Sequence, residues 1–143
     1  MESMSDIVWA INAHNDRFED IFTRMRATAA EMLEAKQYAL HFSFDENLNN
    51  EKLNMEERKH FYLLFKEAIN NIAKYAEGKN VWIILTKKDH AVEMTIKDDG
   101  KGFVAGVKKG NGMNTMQERA KKLRGKLAVT SFPQEGTSVQ LIF

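Results

Sequence analysis

The order of helical and strand periodicity along the chain is the feature that most constrains its fold. Apolar residues recur at helical spacing over residues 17–37 and again over residues 56–76. Two short runs of strand character follow the second helical stretch, and residues 91–97 alternate between apolar and polar side chains. Because helical stretches alternate unevenly with strands that pair as hairpins, the sequence predicts an α+β fold, a two-layer sandwich with helices over one face of a sheet.

Caps and glycines indicate where the predicted elements end. Asn15 and Asp16 can cap the first helix, and Gly78 and Gly125 follow the second and third helices at the position of a C-cap glycine. Residues 45–54 are polar and rich in asparagine, so they predict a loop. The other predicted elements are strands at residues 40–44, 81–86, 91–97, 126–132 and 137–143, and a third helix at residues 113–123.

Composition narrows the classes of function. The 143 residues are enough for one domain with a hydrophobic core, and the net charge of +1 gives no electrostatic case for nucleic acid or an anionic membrane. The absence of cysteine excludes disulfides, thiolate zinc sites and cysteine nucleophiles. No apolar run is long enough to span a bilayer, and the N-terminus does not resemble a signal peptide. We therefore expect a cytoplasmic domain without direct membrane contact, whose parent protein can still be membrane-anchored.

The second predicted helix carries a stripe of three polar side chains. Glu67, Asn71 and Lys74 fall at i, i+4 and i+7 along the edge of the apolar face, so they should border a cleft beside the core. An asparagine amide oxygen is a suitable ligand for Mg²⁺, which takes its other oxygens from water and phosphates. A carboxylate one turn earlier can accept a proton or orient a nucleophile, and a lysine one turn later can balance phosphate charge. The alternative is a solvated helix edge with Glu/Lys pairs.

Most of the glycines fall in one short segment that contains two further candidate motifs. Asp98 directly follows a predicted strand, where its carboxylate can accept a hydrogen bond from an exocyclic amine such as that of adenine. Gly100 and Gly102 allow the backbone to turn tightly and approach a ligand. Gly110 and Gly112 open the third helix, where free N–H groups and the helix dipole favour phosphate. The alternatives are an Asp/Gly-rich turn and a flexible loop that ends at a helix start.

Together these motifs resemble the GHKL superfamily of ATP-binding domains, which includes gyrase, heat-shock chaperone and histidine-kinase members. The resemblance covers roughly residues 17–143 and implies a Bergerat-type fold with a mixed, mostly antiparallel sheet. Glu67 and Asn71 match its N box, which implies that Asn71 binds Mg²⁺ and that Glu67 is catalytic. Asp98 matches the start of the G1 box and is implied to bind the adenine amine, and the Thr137 hydroxyl can lie near the base. The candidate nucleotide-binding residues are Asn71, Lys74, Tyr75, Asp98, Gly100, Gly102, Gly110, Gly112, Met113 and Thr137.

Two longer segments narrow the resemblance further. Residues 112–120 and 5–12 are similar to the nitrate-sensor-like branch of two-component histidine kinases. This implies that residues 1–16 are the remnant of an upstream dimerisation helix or linker and that residues 17–143 are the catalytic domain. None of the four histidines has the acidic neighbour of a phosphoacceptor, so the acceptor is expected on an upstream domain that is absent from this chain. His60 is expected on a helix surface.

The resemblance implies an ATP-dependent protein histidine kinase. With ATP and Mg²⁺ as cofactors, the domain is expected to phosphorylate a histidine on the upstream dimerisation domain, for relay to an aspartate on a response regulator. One alternative is a stand-alone serine kinase that also binds a sigma factor. Trp9 and Ile11 argue against it, because they look like contacts to missing upstream helices. The other alternative is a degenerate nucleotide-binding module that docks a partner without catalysis.

Overall fold

A five-stranded sheet and three α-helices make up residues 17–102 and 112–143. The structure is a computed structural model that describes these residues together with residues 8 and 9. A 3₁₀ helix at Glu46–Asn50 lies in the segment predicted to be a loop, and a π-helical turn at Ile72–Ala76 extends the second helix. The helices are α1 (Phe18–Glu34), α2 (Met55–Asn71) and α3 (Gly112–Lys122), and the strands are β1 (Ala39–Phe44), β2 (Asn80–Lys88), β3 (Ala91–Asp98), β4 (Lys126–Phe132) and β5 (Gly136–Ile142).

The strands form one mixed sheet in the order β1-β2-β3-β5-β4. β1 pairs with β2 in parallel, and the other neighbouring strands pair antiparallel. A parallel pair needs a crossover connection, and α2 supplies it between β1 and β2. The mixed, mostly antiparallel sheet confirms the predicted topology. None of the helices in the described ranges is long and apolar enough to cross a membrane.

The core lies between the helices and one face of the sheet. On β2 and β3, alternate side chains such as Ile83 and Met94 are buried, as the two-residue period of a strand requires. Each fully buried side chain of this size contributes about 2 kcal/mol through loss of apolar surface from water. This packing confirms the predicted two-layer sandwich. The largest fully buried α-helical side chains are Phe18, Ile21, Met25, Leu33, Phe61, Tyr62, Leu64, Phe65 and Ile69.

The N-termini of α1 and α2 are capped differently. Asn54 and Glu57 form a capping box at α2, in which the Glu57 N–H donates to Asn54 Oδ1 at 2.8 Å and the Asn54 N–H donates to Glu57 Oε1 at 3.0 Å. At α1 the N-cap residue is Arg17, and it makes no side-chain capping bond. The predicted cap at residues 15 and 16 is therefore wrong. Helix α1 begins later in the sequence than this polar pair predicted.

A left-handed residue other than glycine follows each of the three helices. Gln37, Glu77 and Arg124 have φ of 63°, 54° and 57°. After α3 the Gly125 N–H donates to the Ala120 carbonyl at 2.9 Å, as in a Schellman motif. The prediction that Gly78 and Gly125 are the left-handed caps is wrong by one position. The left-handed backbone conformation falls on the residue before each glycine, where it costs about 1 kcal/mol.

His60 is buried rather than exposed on the surface of α2. Its Nε2 lies 3.2 Å from Glu56 Oε2, and its Nδ1 lies 3.3 Å from Arg119 Nη1 on α3. Burial, together with the Arg119 charge, lowers the pKa of His60. The expectation of a surface position is wrong because α3 covers this part of α2. His60 thus helps to hold the two helices together.

Trp9 packs against α1 and α2. Its ring centroid lies 5.4 Å from that of Tyr62, and the Arg24 guanidinium lies 5.2 Å from the centre of the Trp9 ring. The contacts of Trp9 are therefore made within this domain, whereas the sequence suggested contacts to missing helices. Ile11, its predicted companion, lies outside the described residues.

Candidate functional site

A cleft opens between α2, α3 and the part of the sheet formed by β3, β5 and β4. Its volume of about 570 Å³ includes the open space at its mouth. Residues that lie far apart in the sequence meet here, from the end of a helix, the end of a strand and a hairpin. The predicted site residues that line the cleft are Asn71, Tyr75, Asp98, Gly102, Met113 and Thr137.

The floor of the cleft is an apolar row across three strands. Ile96 on β3 pairs in register with Val139 on β5, and Val139 pairs with Val129 on β4. Directly opposite residues on neighbouring strands share a face, so the three side chains form a continuous surface. The sequence interpretation did not include these three residues in the site. Strand alternation could have identified two of them, because Ile96 stands two residues before Asp98 and Val139 two residues after Thr137, so each shares a strand face with a predicted site residue.

The helical walls of the cleft are also apolar. Ala68, Ile72 and Ala76 line it from α2 and the π-helical turn, and Met116 lines it from α3. The alanine side chains are short, which leaves space between the helices and the apolar floor. A flat, largely apolar ring would therefore find apolar surface on two sides. The sequence interpretation did not name these residues as part of the site.

Asp98 is the buried carboxylate of the cleft. Asp98 is 2% exposed, and its Oδ1 accepts a hydrogen bond from the Gly100 N–H at 2.8 Å. Burial raises the pKa of Asp98, and hydrogen bonds from the Gly100 and Thr137 backbone N–H groups oppose that rise. A carboxylate has about four acceptor positions, so these two bonds leave capacity for a donor on a ligand. Asp98 can therefore select a ligand that presents an N–H group.

The neighbouring Asp99 has a different environment. Asp99 Oδ1 accepts the backbone N–H groups of Lys79 and Asn80, both at 2.8 Å, and its Oδ2 accepts the Asn80 side-chain amide at 2.9 Å. Burial acts to raise the pKa of Asp99, but these hydrogen bonds outweigh it and hold the pKa below its usual value. Asp99 therefore fastens the end of β3 to the start of β2, and its acceptor sites are occupied by the chain.

Two glycines of the Asp98 loop are required by the chain's own backbone. A Cβ on Gly100 would overlap the Ala76 carbonyl at the end of the π-helical turn. Gly102 has φ of 65°, and a Cβ there would overlap the Phe132 carbonyl. Gly102 lines the cleft, whereas Gly100 lies outside its lining. Close contact between loop and scaffold accounts for both glycines, and their predicted close approach to a ligand stays a prediction.

The three polar residues of the predicted stripe separate in the structure. Asn71 ends α2 and lines the cleft, while Glu67 is half-buried one turn earlier and lies outside the lining. Lys74 is exposed and also lies outside it, whereas Tyr75 lines the cleft and is 41% exposed. The π-helical turn explains the difference. Its i→i+5 bonds need more residues per turn than the 3.6 of an α-helix, so Lys74 rotates away from the predicted stripe.

The remaining predicted residues lie at the start of α3 and in the β4–β5 hairpin. Gly112 begins α3, Met113 follows it into the cleft lining, and Gly110 lies outside the described residues. Thr137 Oγ1 is 2.8 Å from Ser131 Oγ on the paired strand, and the Thr137 backbone N–H reaches Asp98. The hairpin thus supports the buried carboxylate directly.

Residues 56–143 match the family model described as histidine kinase-, DNA gyrase B- and HSP90-like ATPase. The chain belongs to this family. The curated relatives it matches are sensor histidine kinases, such as YdfH of Bacillus subtilis, to which it is 30% identical over 96 residues. That match covers 62% of this chain and 23% of YdfH. The chain thus spans about a quarter of the length of the curated relatives it matches.

Solved structures of histidine kinases share the fold. The histidine kinase domain of the blue-light activated kinase EL346 from Erythrobacter litoralis aligns with a TM-score of 0.72 at 17% identity, over 86% of this chain and 64% of that one. Full-length ShkA in complex with AMPPNP aligns with a TM-score of 0.72 at 13% identity, over 87% of this chain and 29% of that one. At these identities the likeness concerns the fold.

Proposed function

We propose that the chain is the catalytic domain of a two-component sensor histidine kinase. It binds ATP with Mg²⁺ in the cleft and transfers the γ-phosphoryl group to a histidine on the dimerisation domain of a longer protein, from which a response regulator receives it. The observation that carries this proposal is the buried Asp98 carboxylate beside an apolar floor, with Asn71 on the adjoining helix end. Family membership and the sensor-kinase relatives support it.

The adenine half of the proposed site is the sheet side. The apolar row of Ile96, Val139 and Val129 offers a surface for the base, and Asp98 accepts a hydrogen bond from its exocyclic amine. A base without that amine would leave the buried carboxylate unpaired, which is a strong source of discrimination. Thr137 and Tyr75, both in the lining, border the base. Gly100 and Gly102 act by holding the loop.

The phosphate half of the proposed site is the helix side. The Asn71 amide oxygen is a hard neutral ligand that fits Mg²⁺, and Mg²⁺ neutralises phosphate charge and takes its other oxygens from ATP and water. The start of α3, with Gly112 and Met113, directs N–H groups to the phosphates, and the sequence motif extends this role to Gly110. Glu67 orients or deprotonates the acceptor histidine. Lys74 is left out of this assignment because it is exposed and outside the lining.

The boundaries and setting of the domain follow from the same proposal. We assign residues 17–143 to the catalytic domain and residues 1–16 to the linker from the dimerisation domain. The domain acts in the cytoplasm, where ATP is supplied, and needs neither nucleic acid nor direct membrane contact.

Nucleotide binding is tested by calorimetric titration of the 143-residue chain with ADP and with AMPPNP, each with and without Mg²⁺. We expect binding that strengthens when Mg²⁺ is present. The variant Asp98→Asn tests the role of the buried carboxylate, and its matched control is Asp89→Asn. Asp89 is an exposed residue in the β2–β3 turn, and its φ of 56° suits asparagine. A folded wild-type chain that binds neither nucleotide would contradict the proposal.

Phosphoryl transfer is tested on the full-length parent protein with ATP labelled on the γ-phosphate. A phosphohistidine is acid-labile and base-stable, so we expect label that is lost in acid and retained in base. Acid-stable label on serine would favour the serine-kinase alternative. Absence of label in a protein that still binds MgATP would favour the docking module.

A further inference from the structure

Tyr38 is a buried tyrosine whose hydroxyl joins two backbone groups near the cleft. The hydroxyl accepts the Gly78 N–H at 2.9 Å and donates to the Ile72 carbonyl at 3.5 Å. Burial raises the pKa of Tyr38, so the hydroxyl keeps its proton and can act as a donor at neutral pH. The residue itself is 7% exposed and lies between α1 and β1, outside the cleft lining.

The two backbone groups that Tyr38 joins bracket the π-helical turn. Ile72 is the first residue of the turn, and Gly78 stands two residues after its end at Ala76. The Ile72 carbonyl opens the i→i+5 bonding of the turn, and the Tyr38 hydroxyl adds a second, longer donor to that carbonyl at 3.5 Å. The hydroxyl also accepts the Gly78 N–H from the chain that leaves the turn. It therefore fixes both the start and the exit of the turn.

A second connection holds the opposite side of the same turn. The Lys101 N–H donates to the Ala76 carbonyl at 2.7 Å, and Lys101 belongs to the loop that follows Asp98. The turn is thus held between Tyr38 on one side and the Asp98 loop on the other. Asn71 immediately precedes the turn, and Tyr75 lies within it. Both side chains therefore lie next to the groups that hold the turn.

We infer that Tyr38 is a positioning residue for the magnesium side of the cleft: its hydroxyl holds the π-helical turn in the geometry that directs Asn71 toward the nucleotide phosphates. This inference rests on the proposed function. Without the hydroxyl, the Gly78 N–H loses its partner and the Ile72 carbonyl loses its second donor, so the turn can shift toward α-helical spacing. Asn71 then changes direction, while the Asp98 loop keeps its own anchors in Asn80 and Thr137.

The experiment compares Tyr38→Phe with Tyr62→Phe in the 143-residue chain. Each substitution removes one hydroxyl and keeps the ring; Tyr62 has its hydroxyl 2.7 Å from Thr28 Oγ1, on the α1–α2 side of the domain. AMPPNP is held at a fixed concentration and Mg²⁺ is titrated, and ADP binding is measured separately without Mg²⁺. Loss of an outer ligand-positioning partner typically weakens metal affinity 10- to 100-fold. We expect Tyr38→Phe to need about tenfold more Mg²⁺ for half-saturation, by the same principle.

The expected pattern is specific to positioning. Tyr38→Phe should bind ADP without Mg²⁺ within about twofold of the wild type, and Tyr62→Phe should match the wild type in both titrations. An equal Mg²⁺ requirement in the two variants, or a parallel loss of magnesium-free binding in Tyr38→Phe, would overturn the inference and leave the proposed function standing. A wild-type chain that binds no nucleotide would overturn the proposed function, and the inference with it.

A measurement on the wild type covers the case in which Tyr38→Phe does not fold. Hydrogen exchange of the Gly78 amide reports the Tyr38 bond directly, because that N–H donates to the hydroxyl. We expect AMPPNP with Mg²⁺ to slow this exchange several-fold more than AMPPNP alone. Equal exchange under both conditions would overturn the inference.

Discussion

The two sides of the cleft are built by different rules. On the sheet side, Ile96 and Asp98 share a face because strand side chains alternate with a period of two, and register with β5 completes the surface. On the helix side, α2 changes from α- to π-geometry directly after Asn71, which keeps Tyr75 in the lining and leaves Lys74 exposed. A strand therefore specifies its face locally, whereas a helix end depends on the contacts that hold it.

The adjacent aspartates Asp98 and Asp99 also differ sharply in their surroundings. Asp98 is buried with free acceptor capacity, and burial raises its pKa. Asp99 is exposed, satisfied by Lys79 and Asn80, and its pKa lies below the usual value. The proposed ligand contact and the attachment of the strand thus fall to neighbouring residues. Substitution of each should change a different property, which makes the comparison testable.

Asp98→Asn should produce the largest effect of the substitutions considered. The asparagine amide can turn a donor toward the adenine amine, so the charge-assisted hydrogen bond is lost in a buried site. A loss of about 2.7 kcal/mol corresponds to roughly 100-fold weaker AMPPNP binding. Calorimetry with Asp89→Asn as the matched control measures it. Near wild-type affinity in Asp98→Asn would contradict the assignment of the adenine pocket.

The same substitution should leave stability intact or raise it. Because the folded-state pKa of Asp98 is raised, the folded state binds the proton more tightly than the unfolded state, and stability falls as pH rises through that pKa. Asp98→Asn removes this cost at pH 7. The thermal midpoint should therefore be no lower than that of the wild type, and nucleotide affinity of the wild type should weaken on acidification at a higher pH than an ordinary aspartate would require.

Asn71→Ala tests the helix side and should have the next largest effect. Loss of the amide oxygen should remove the strengthening of AMPPNP binding by Mg²⁺, a change of about tenfold. ADP binding without Mg²⁺ should stay near the wild-type value, since the sheet side is unchanged. Asn70→Ala is the matched control, because Asn70 is a neighbouring asparagine outside the cleft lining. Retained magnesium dependence in Asn71→Ala would count against the metal assignment.

Asp99→Asn should change stability and leave nucleotide affinity unchanged. The substitution weakens its bonds with Lys79 and Asn80, at a cost of about 1 kcal/mol. Because the folded-state pKa is depressed, the stabilisation is present above the unfolded pKa and is lost as pH falls through the folded value. Chemical denaturation at pH 7 and at pH 3 should therefore show a smaller difference between variant and wild type in acid. A weakened AMPPNP titration would show that Asp99 also serves the site.

Local periodicity predicted much of this architecture, and non-local contacts decided the rest. The β4 bounds of Lys126–Phe132 coincide with the predicted strand, because its alternation ends at a proline turn. The burial of His60 was missed because its partner Arg119 lies 59 residues away in the sequence. The π-helical turn was missed for the same reason, since its anchors Tyr38 and Lys101 belong to other segments. Site residues on strands were accordingly easier to place than those at the helix end.

The smallest expected effect concerns the strained exit of the helix side. Glu77 has a left-handed φ of 54°, and its exposed carboxylate lies 3.4 Å from Lys101 Nζ. Glu77→Gly should stabilise the fold by about 0.5 kcal/mol, because relief of the left-handed strain exceeds the loss of an exposed ion pair and the added freedom of the unfolded chain. Glu77→Ala is the matched control, since it removes the ion pair and keeps the Cβ. Chemical denaturation should place Glu77→Gly above Glu77→Ala in stability. The opposite order would mean that neighbouring contacts, rather than residue preference, set the backbone at this exit, and that the strain attributed to position 77 is absent.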